Sequence, residues 1–396
     1  MSFPSVNIPR QNGQLKRVQP SEDAVVCFLL SGVAVVNGVQ LGTPYQVFGS
    51  SALDTYKITA DTNALALAEI TDFYDKAGEG AELNFMLVNS ATTLADICNK
   101  NLQIGKKLLD SVTGRGVIFI VNKTLPNGYN QVITNGLDSD VWAAVANVNA
   151  MAKQYDDANT PFVAVLPGIG ASKATLANLS NRNTLAYDYT AISLACKTNN
   201  QIVSMGMLAG IIANRQVHRN IARVADGAVS DGGFLPDGTS VIDPDNIDVM
   251  PNVHDKGYIV LRKIGDYAGY YFSDDPTLTA SSGDFTSISW NRVINKAKRI
   301  AFKRIILKLN DDVDTNPDTG KIETGVASDW ESDIESAIKA EMMRTTPTKV
   351  KEIDGVKCTV DVNSDIANDQ VDLSLQIVRK GQAKIINVSI SYARTI

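Results

Sequence analysis

Gly168-Ile169-Gly170-Ala171-Ser172-Lys173 follows an apolar run at residues 162–166, which is where a phosphate-binding loop would leave its strand. Glycines there let backbone N–H groups approach an anion, and a lysine supplies the counter-charge. Neither established spacing is complete, however. A P-loop needs Gly-Lys-Ser/Thr after four intervening residues, and the third glycine of a dinucleotide fingerprint would fall where Lys173 stands. A second candidate is Asp312, Asp314, Asn316, Asp318 and Glu323, which occupy positions one, three, five, seven and twelve of an EF-hand-like loop. Its sixth position, where the sharp turn requires glycine, is Pro317. A solvated acidic turn is the better expectation. His218 and His254 have no metal-ligand spacing to each other or to a cysteine, and no Gly-x-Ser-x-Gly elbow is present. The residues nominate no catalytic set, cofactor or metal. A cytosolic α/β enzyme or nucleotide-binding protein using the loop from Gly168 to Lys173 stays as the alternative.

The charged pattern with most information lies on a long helical segment. Arg292, Lys296, Arg299 and Lys303 recur at steps of four, three and four, while Val293, Ala297, Ile300, Ala301 and Ile305 mark an apolar face. No acid falls between Asp284 and Asp311. Most such runs are solvated faces. The sharper expectation is a helix lying between a core and an acidic surface, where complementary charge fixes register and guides assembly.

The elements around these residues suggest two kinds of architecture. Buried strands are expected at 24–30, 33–36, 83–88, 117–121 and 162–166, with a tight turn at Asn37-Gly38. Helices are expected at 64–76, at 94–112 behind Thr92 or Thr93, at 141–155 behind Asp138 or Ser139, and at 204–214. Helices alternating with wholly apolar strands imply parallel βαβ units covered on both faces. Residues 224–251 form a long turn-rich loop before a strand at 257–261. Later, Ser328 and Glu331 have capping-box spacing ahead of a helix burying Trp330, Ile334, Ile338 and Met342. Three period-two strands close the chain, through Val356/Cys358/Val360/Val362, Val371/Leu373/Leu375/Ile377 and Ile386/Val388/Ile390/Tyr392. The last can pair with its own sheet or extend the sheet of another subunit.

Composition bounds the function. With 396 residues the chain can bury one large core or two ordinary ones. A net charge of −6 argues against general nucleic-acid affinity. Cys27, Cys98, Cys196 and Cys358 are scattered as reduced core thiols would be. Without an apolar signal core or a spanning run, the expectation is synthesis and folding in the cytoplasm, no membrane insertion, and export without a signal peptide.

Gly269-Tyr-Tyr-Phe-x-Asp-Asp-Pro-Thr277, followed by Asp284-Phe-x-Ser287 and Arg292-Val-Ile-x-Lys-Ala297, resembles the tail sheath proteins of contractile phage tails. The similarity is to the Mu-like branch, also found in extracellular contractile injection systems. Residues 74–88 and 217–227 agree with that branch, so the resemblance spans most of the chain. It implies a non-enzymatic subunit without cofactor, stacking in hexameric rings around an inner tube and contracting on a baseplate trigger. The implied partners are copies of itself, the tube protein, and baseplate and tail-terminator or cap proteins. It would assemble in the cytoplasm and then form part of a phage tail or injection particle. It further implies terminal arms that add strands to a neighbour's C-terminal-domain sheet. Here these would be Val6 and Ile8 at one end and Ile386, Val388, Ile390 and Tyr392 at the other. The basic helix would face the tube or a neighbour through Arg292, Lys296, Arg299 and Lys303. The expected organisation is an N-terminal arm at 1–22, an α/β sheath domain at 23–255, an α+β C-terminal sheath domain at 256–382 ending in antiparallel strands, and a strand arm at 383–396.

Overall fold

The computed structural model describes residues 18, 21–112, 114–346, 349–390 and 392. Val6 and Ile8 lie outside them. The chain divides into two compact units, Met1–Lys303 and Arg304–Ile396.

The first unit is built on a six-stranded sheet. Its strands are β1 (Val25–Ser31), β2 (Tyr45–Val47), β3 (Leu83–Val88), β4 (Val117–Asn122), β5 (Phe162–Pro167) and β6 (Thr190–Ser193), in the order β2-β3-β1-β4-β5-β6. All neighbours are parallel except β2, which runs antiparallel along the β3 edge. Every residue of β1, β3, β4, β5 and β6 is buried, because helices cover both faces. The expected strand at 33–36 does not form; Val33 and Val36 are exposed, and the run turns at Asn37 with φ 53°. A four-residue apolar run has no face to bury once Asn63 ties Val33 into a loop, accepting from its N–H at 2.7 Å and donating to its carbonyl at 3.1 Å.

Helix α1 (Ala60–Ala77) is kinked at Asn63, and Thr59 closes a capping box at its start. The expected long helix at 94–112 is broken into α2 (Leu94–Cys98) and a second short helix, Ile104–Leu109. Thr93 caps α2, and Asp140 from α3 (Ser139–Asp157) accepts the Leu94 and Ala95 N–H groups at 2.7 and 2.9 Å. Helix α4 (Met205–Asn214) lies unusually close to α1. A Cβ on Gly206 would sit 2.0 Å from the Glu69 carbonyl oxygen, and one on Gly210 would sit 2.4 Å from that of Phe73. Only glycine permits that approach.

The break between units falls later than residue 255. Tyr258, Ile259, Leu261, Phe272, Leu278 and Ile288 belong to the same core as the six-stranded sheet. Strands β7 (Leu261–Arg262) and β8 (Tyr271–Phe272) pair antiparallel there. They lead to α5 (Ile288–Ile305), the basic helix, whose start is capped by buried Asp275 accepting from the Ser289 N–H at 2.8 Å.

In the second unit α6 (Thr324–Ile338) begins behind Glu323, four residues before the expected capping box, so Ser328 and Glu331 are both helix-interior. Ile334, Ile338 and Met342 are buried as expected, and Trp330 is half-buried. Strands β9 (Ile353–Val360) and β10 (Leu373–Arg379) form an antiparallel hairpin. The third strand is absent among the described residues: 380–390 carry no secondary structure. The fold class is therefore α/β with a mostly parallel sheet, followed by a unit containing an antiparallel hairpin.

Candidate assembly surfaces

The four basic residues of α5 do not share one environment. Lys296 is only 3% exposed and Arg292 and Arg299 are buried, whereas Lys303 is exposed. Asp23, just ahead of β1, takes Lys296 on one carboxylate oxygen and Arg299 on the other, the latter at 2.7 Å. Arg292 adds bonds to the Asp23 and Arg215 carbonyls at 3.3 and 3.1 Å. Burial alone would raise the Asp23 carboxyl's pKa, but Lys296 and then Arg299 outweigh it and hold the pKa below the ordinary range. The acidic counterpart of the stripe is thus, for Lys296 and Arg299, in the same chain. The expectation of a helix between a core and an acidic surface is met for these two residues by Asp23 of the same chain, and the solvated face that most such runs make does not form at Arg292, Lys296 and Arg299. Lys303 alone reaches outward, near Glu22 at 3.8 Å.

The residues that carry the family resemblance meet at the N-terminal end of the same helix. Asn220 donates to Asp275 Oδ1 at 2.7 Å and also bonds Asp274, both at the N-terminal end of α5. Arg215, Arg219 and Arg223 converge on Asp226, with Arg215 Nε 3.1 Å from it. His218 sits in turns within that segment rather than on a helix. These motifs fix α5 in the first unit, which makes them architectural.

Among the described residues, the tail exposes apolar side chains and the hairpin has a strand edge without a paired strand. Ile386, Val388 and Ile390 are 76%, 75% and 92% exposed, and Ile385 and Tyr392 are exposed too. Along β10, Leu373, Leu375 and Ile377 are half-buried while the alternate residues are exposed. No described strand pairs with the outer edge of β10. An apolar alternating segment and an unpaired strand edge on one chain are the two halves of a β-augmentation contact.

The sequence matches the DUF2586 N-terminal domain over residues 3–276 and the DUF2586 C-terminal domain over residues 284–396. The chain belongs to the DUF2586 family. No curated protein matches it. Among solved structures, the contracted helical sheath of the anti-feeding prophage aligns with TM-score 0.60 at 12% identity, over 99% of this chain and 100% of that one. The anti-feeding prophage baseplate gives 0.59 at 13% identity, over 99% of each chain. The contracted PVC sheath complex, from an extracellular contractile injection system, gives 0.57 at 15% identity, over 100% and 98%. The resemblance to contractile sheath proteins thus holds at the level of fold, along nearly the whole chain.

Within this DUF2586 chain the chemical candidates are occupied by structural contacts. The Lys173 N–H donates to Asp237 Oδ2 at 2.7 Å, and its ammonium pairs with Asp245. The loop that would cradle phosphate therefore spends its best donors on the chain's own acids. The acidic segment is stitched by its own backbone: Glu323 N–H reaches the Asp314 carbonyl at 2.9 Å, and Asn316 Oδ1 accepts from Asp318 and Thr319. Among the described residues no three His, Cys, Asp or Glu converge to hold a metal ion. All four cysteines are buried and unpaired. Among the described residues, no helix is long and apolar enough to cross a membrane.

Proposed function

We propose that this chain is the structural subunit of a contractile tail sheath, polymerising as stacked six-fold rings around an inner tube and contracting to drive that tube through a target envelope. The observation that carries the proposal is the combination of a sheath-like fold with an apolar tail whose Ile386, Val388, Ile390 and Tyr392 side chains are exposed. Such a tail is costly to leave in water and is stabilised by entering a neighbour's sheet. Subunits linked head-to-tail make heterologous contacts that do not close on themselves, which is the requirement for a helical lattice. Energy for contraction would reside in subunit packing, with no nucleotide or metal consumed. The partners would be further copies of the chain, a tube protein, and baseplate and terminator or cap proteins. Lys303, the exposed member of the basic stripe, is the one suited to face the tube or a neighbour. Assembly would occur in the cytoplasm, and the finished sheath would belong to a phage tail or injection particle.

Negative-stain electron microscopy of the purified chain, alone and co-expressed with its genomic neighbours, tests this directly. Hollow ridged cylinders are the expected product. Monodisperse particles in both preparations, together with tight nucleotide binding by the monomer, would overturn the proposal in favour of an enzyme.

A further inference from the structure

The β9–β10 hairpin has two edges, and they are not equivalent. The Cys358 N–H donates to Glu335 Oε1 at 3.0 Å and the Val360 N–H to Glu331 Oε1 at 2.9 Å. Both N–H groups therefore point away from β10. Cys358 opposite Leu375 and Val360 opposite Leu373 are then the non-hydrogen-bonded pairs of the ladder, so Leu373 and Leu375 also turn their backbone groups outward, to the far edge of β10.

The two glutamates match the strand dimensionally. Four residues of helix rise ~6 Å, and two residues of strand rise ~6.8 Å. Carboxylates at i and i+4 on α6 thus stand where the carbonyls of an adjacent strand would. Like charges at this spacing ordinarily cost helix stability. Here Lys339 lies 2.6 Å from Glu335 and Lys357 lies at 4.0 Å, and together with the strand N–H they stabilise the anion. Meanwhile the buried row Val356, Cys358 and Val360 is continued on the same face by the half-buried Leu373, Leu375 and Ile377. That half-buried row ends at the open edge.

We propose that Glu331 and Glu335 lock the β9 edge against strand addition, so that the tail of a second copy pairs only along β10. This rests on the strand-exchange reading above and adds to it which edge is used and which residues decide. Ile386, Val388 and Ile390 of the incoming tail would form the third apolar row, beside Leu373, Leu375 and Ile377. The carboxylates hold β9 with charge-assisted bonds, which are stronger than the neutral ladder bonds an invading strand would offer.

Disulfide trapping of the full chain tests the edge choice. Val388→Cys is combined in turn with Leu373→Cys, Leu375→Cys or Ile377→Cys on β10, each in a Cys358→Ser chain so that β9 carries no thiol. On β9 it is combined with the native Cys358, Val356→Cys or Val360→Cys. Intermolecular species are then resolved on non-reducing gels, which register a dimer as readily as a tube. Trapping by the β10 set alone is expected. Glu331→Ala/Glu335→Ala should bring β9-directed dimers from none to a level matching β10. Glu331→Gln/Glu335→Gln, which keeps the acceptors but makes the bonds neutral, should give β9-directed dimers at a level between none and that of the alanine pair. β9 trapping in the chain with both glutamates intact would overturn the lock while leaving strand exchange standing. Absence of trapping at either edge would overturn both.

Discussion

Asp23→Ala isolates the clamp on α5. The substitution removes the carboxylate shared by Lys296 and Arg299 and leaves two cations in place, one of them only 3% exposed. Removing one partner of a buried ion pair costs about 3–5 kcal/mol, since a charge withdrawn from water loses part of its compensation. At an unfolding entropy of about 2.1 cal/mol/K per residue, a unit ending at Lys303 loses ~1.6 °C per kcal/mol, so its midpoint should fall by ~5–8 °C. Calorimetry of a chain truncated after Lys384 measures this without polymerisation. The control is Glu22→Ala, which breaks only the exposed contact to Lys303 and should cost under ~0.5 kcal/mol. The pH dependence provides a second check. Because the folded Asp23 carboxyl titrates below its unfolded value, its contribution is complete above about pH 4. It is lost as pH falls through the lowered folded pKa, and Asp23→Ala should abolish that part of the acid slope. A fall in midpoint of less than one degree would refute the clamp as a stabilising device. For the same reason, charge reversal at Lys296 and Arg299 would unfold α5 before it reported on any assembly partner.

Three further outcomes are expected. Gly206→Ala and Gly210→Ala each drive a methyl into a backbone carbonyl of α1, and each should cost at least the ~1–3 kcal/mol of ordinary overpacking, measured by denaturant unfolding; a change under half a kcal/mol would contradict the close approach. Burial pushes the Glu69 carboxyl up to about 8, against the opposing bonds from the Gly206 N–H and the Asn122 amide. Its folded pKa is therefore above its unfolded value near 4.5, so stability should decline as pH rises between those limits, and Glu69→Gln should remove that decline in a pH series of melts. Truncation after Lys384 should leave the circular dichroism of the chain intact while abolishing tubes in electron micrographs; tubes from the truncated chain would refute tail exchange.

The central sheet was legible because fully buried parallel strands are continuous apolar runs, and β3 falls on the expected residues 83–88. The two short apolar runs that diverged, 33–36 and the tail, share a cause: strand propensity does not specify a partner. Ile386, Val388 and Ile390 alternate as strand residues do, yet among the described residues no strand pairs with them. The early start of α6 was hidden because a capping-box pattern is common and Glu323 gives no side-chain cap bond. The basic stripe was visible, but its counter-charge is Asp23, about 270 residues away, and the separation places that pairing beyond any local pattern. The glutamate edge contact left one trace in the sequence, Glu331 and Glu335 at an unfavourable spacing. Such a pair invites the question of what else holds it, although only the hairpin register answers it.

Under the proposed sheath function, the exposed tail would also set the working lifetime of the free subunit. Residues 385–390, Ile-Ile-Asn-Val-Ser-Ile, carry no charge and no proline and are rich in β-branched side chains. That composition favours indiscriminate cross-β stacking as well as ordered pairing. Lys380 and Lys384 precede the segment and Arg394 follows it as charged gatekeepers. Ordered and disordered association both accelerate with concentration, so the pool of unassembled chains has to stay small. Synthesis should therefore be timed to the appearance of whatever nucleates the lattice, and a cell that makes the subunit early should accumulate amorphous deposits in place of a reserve.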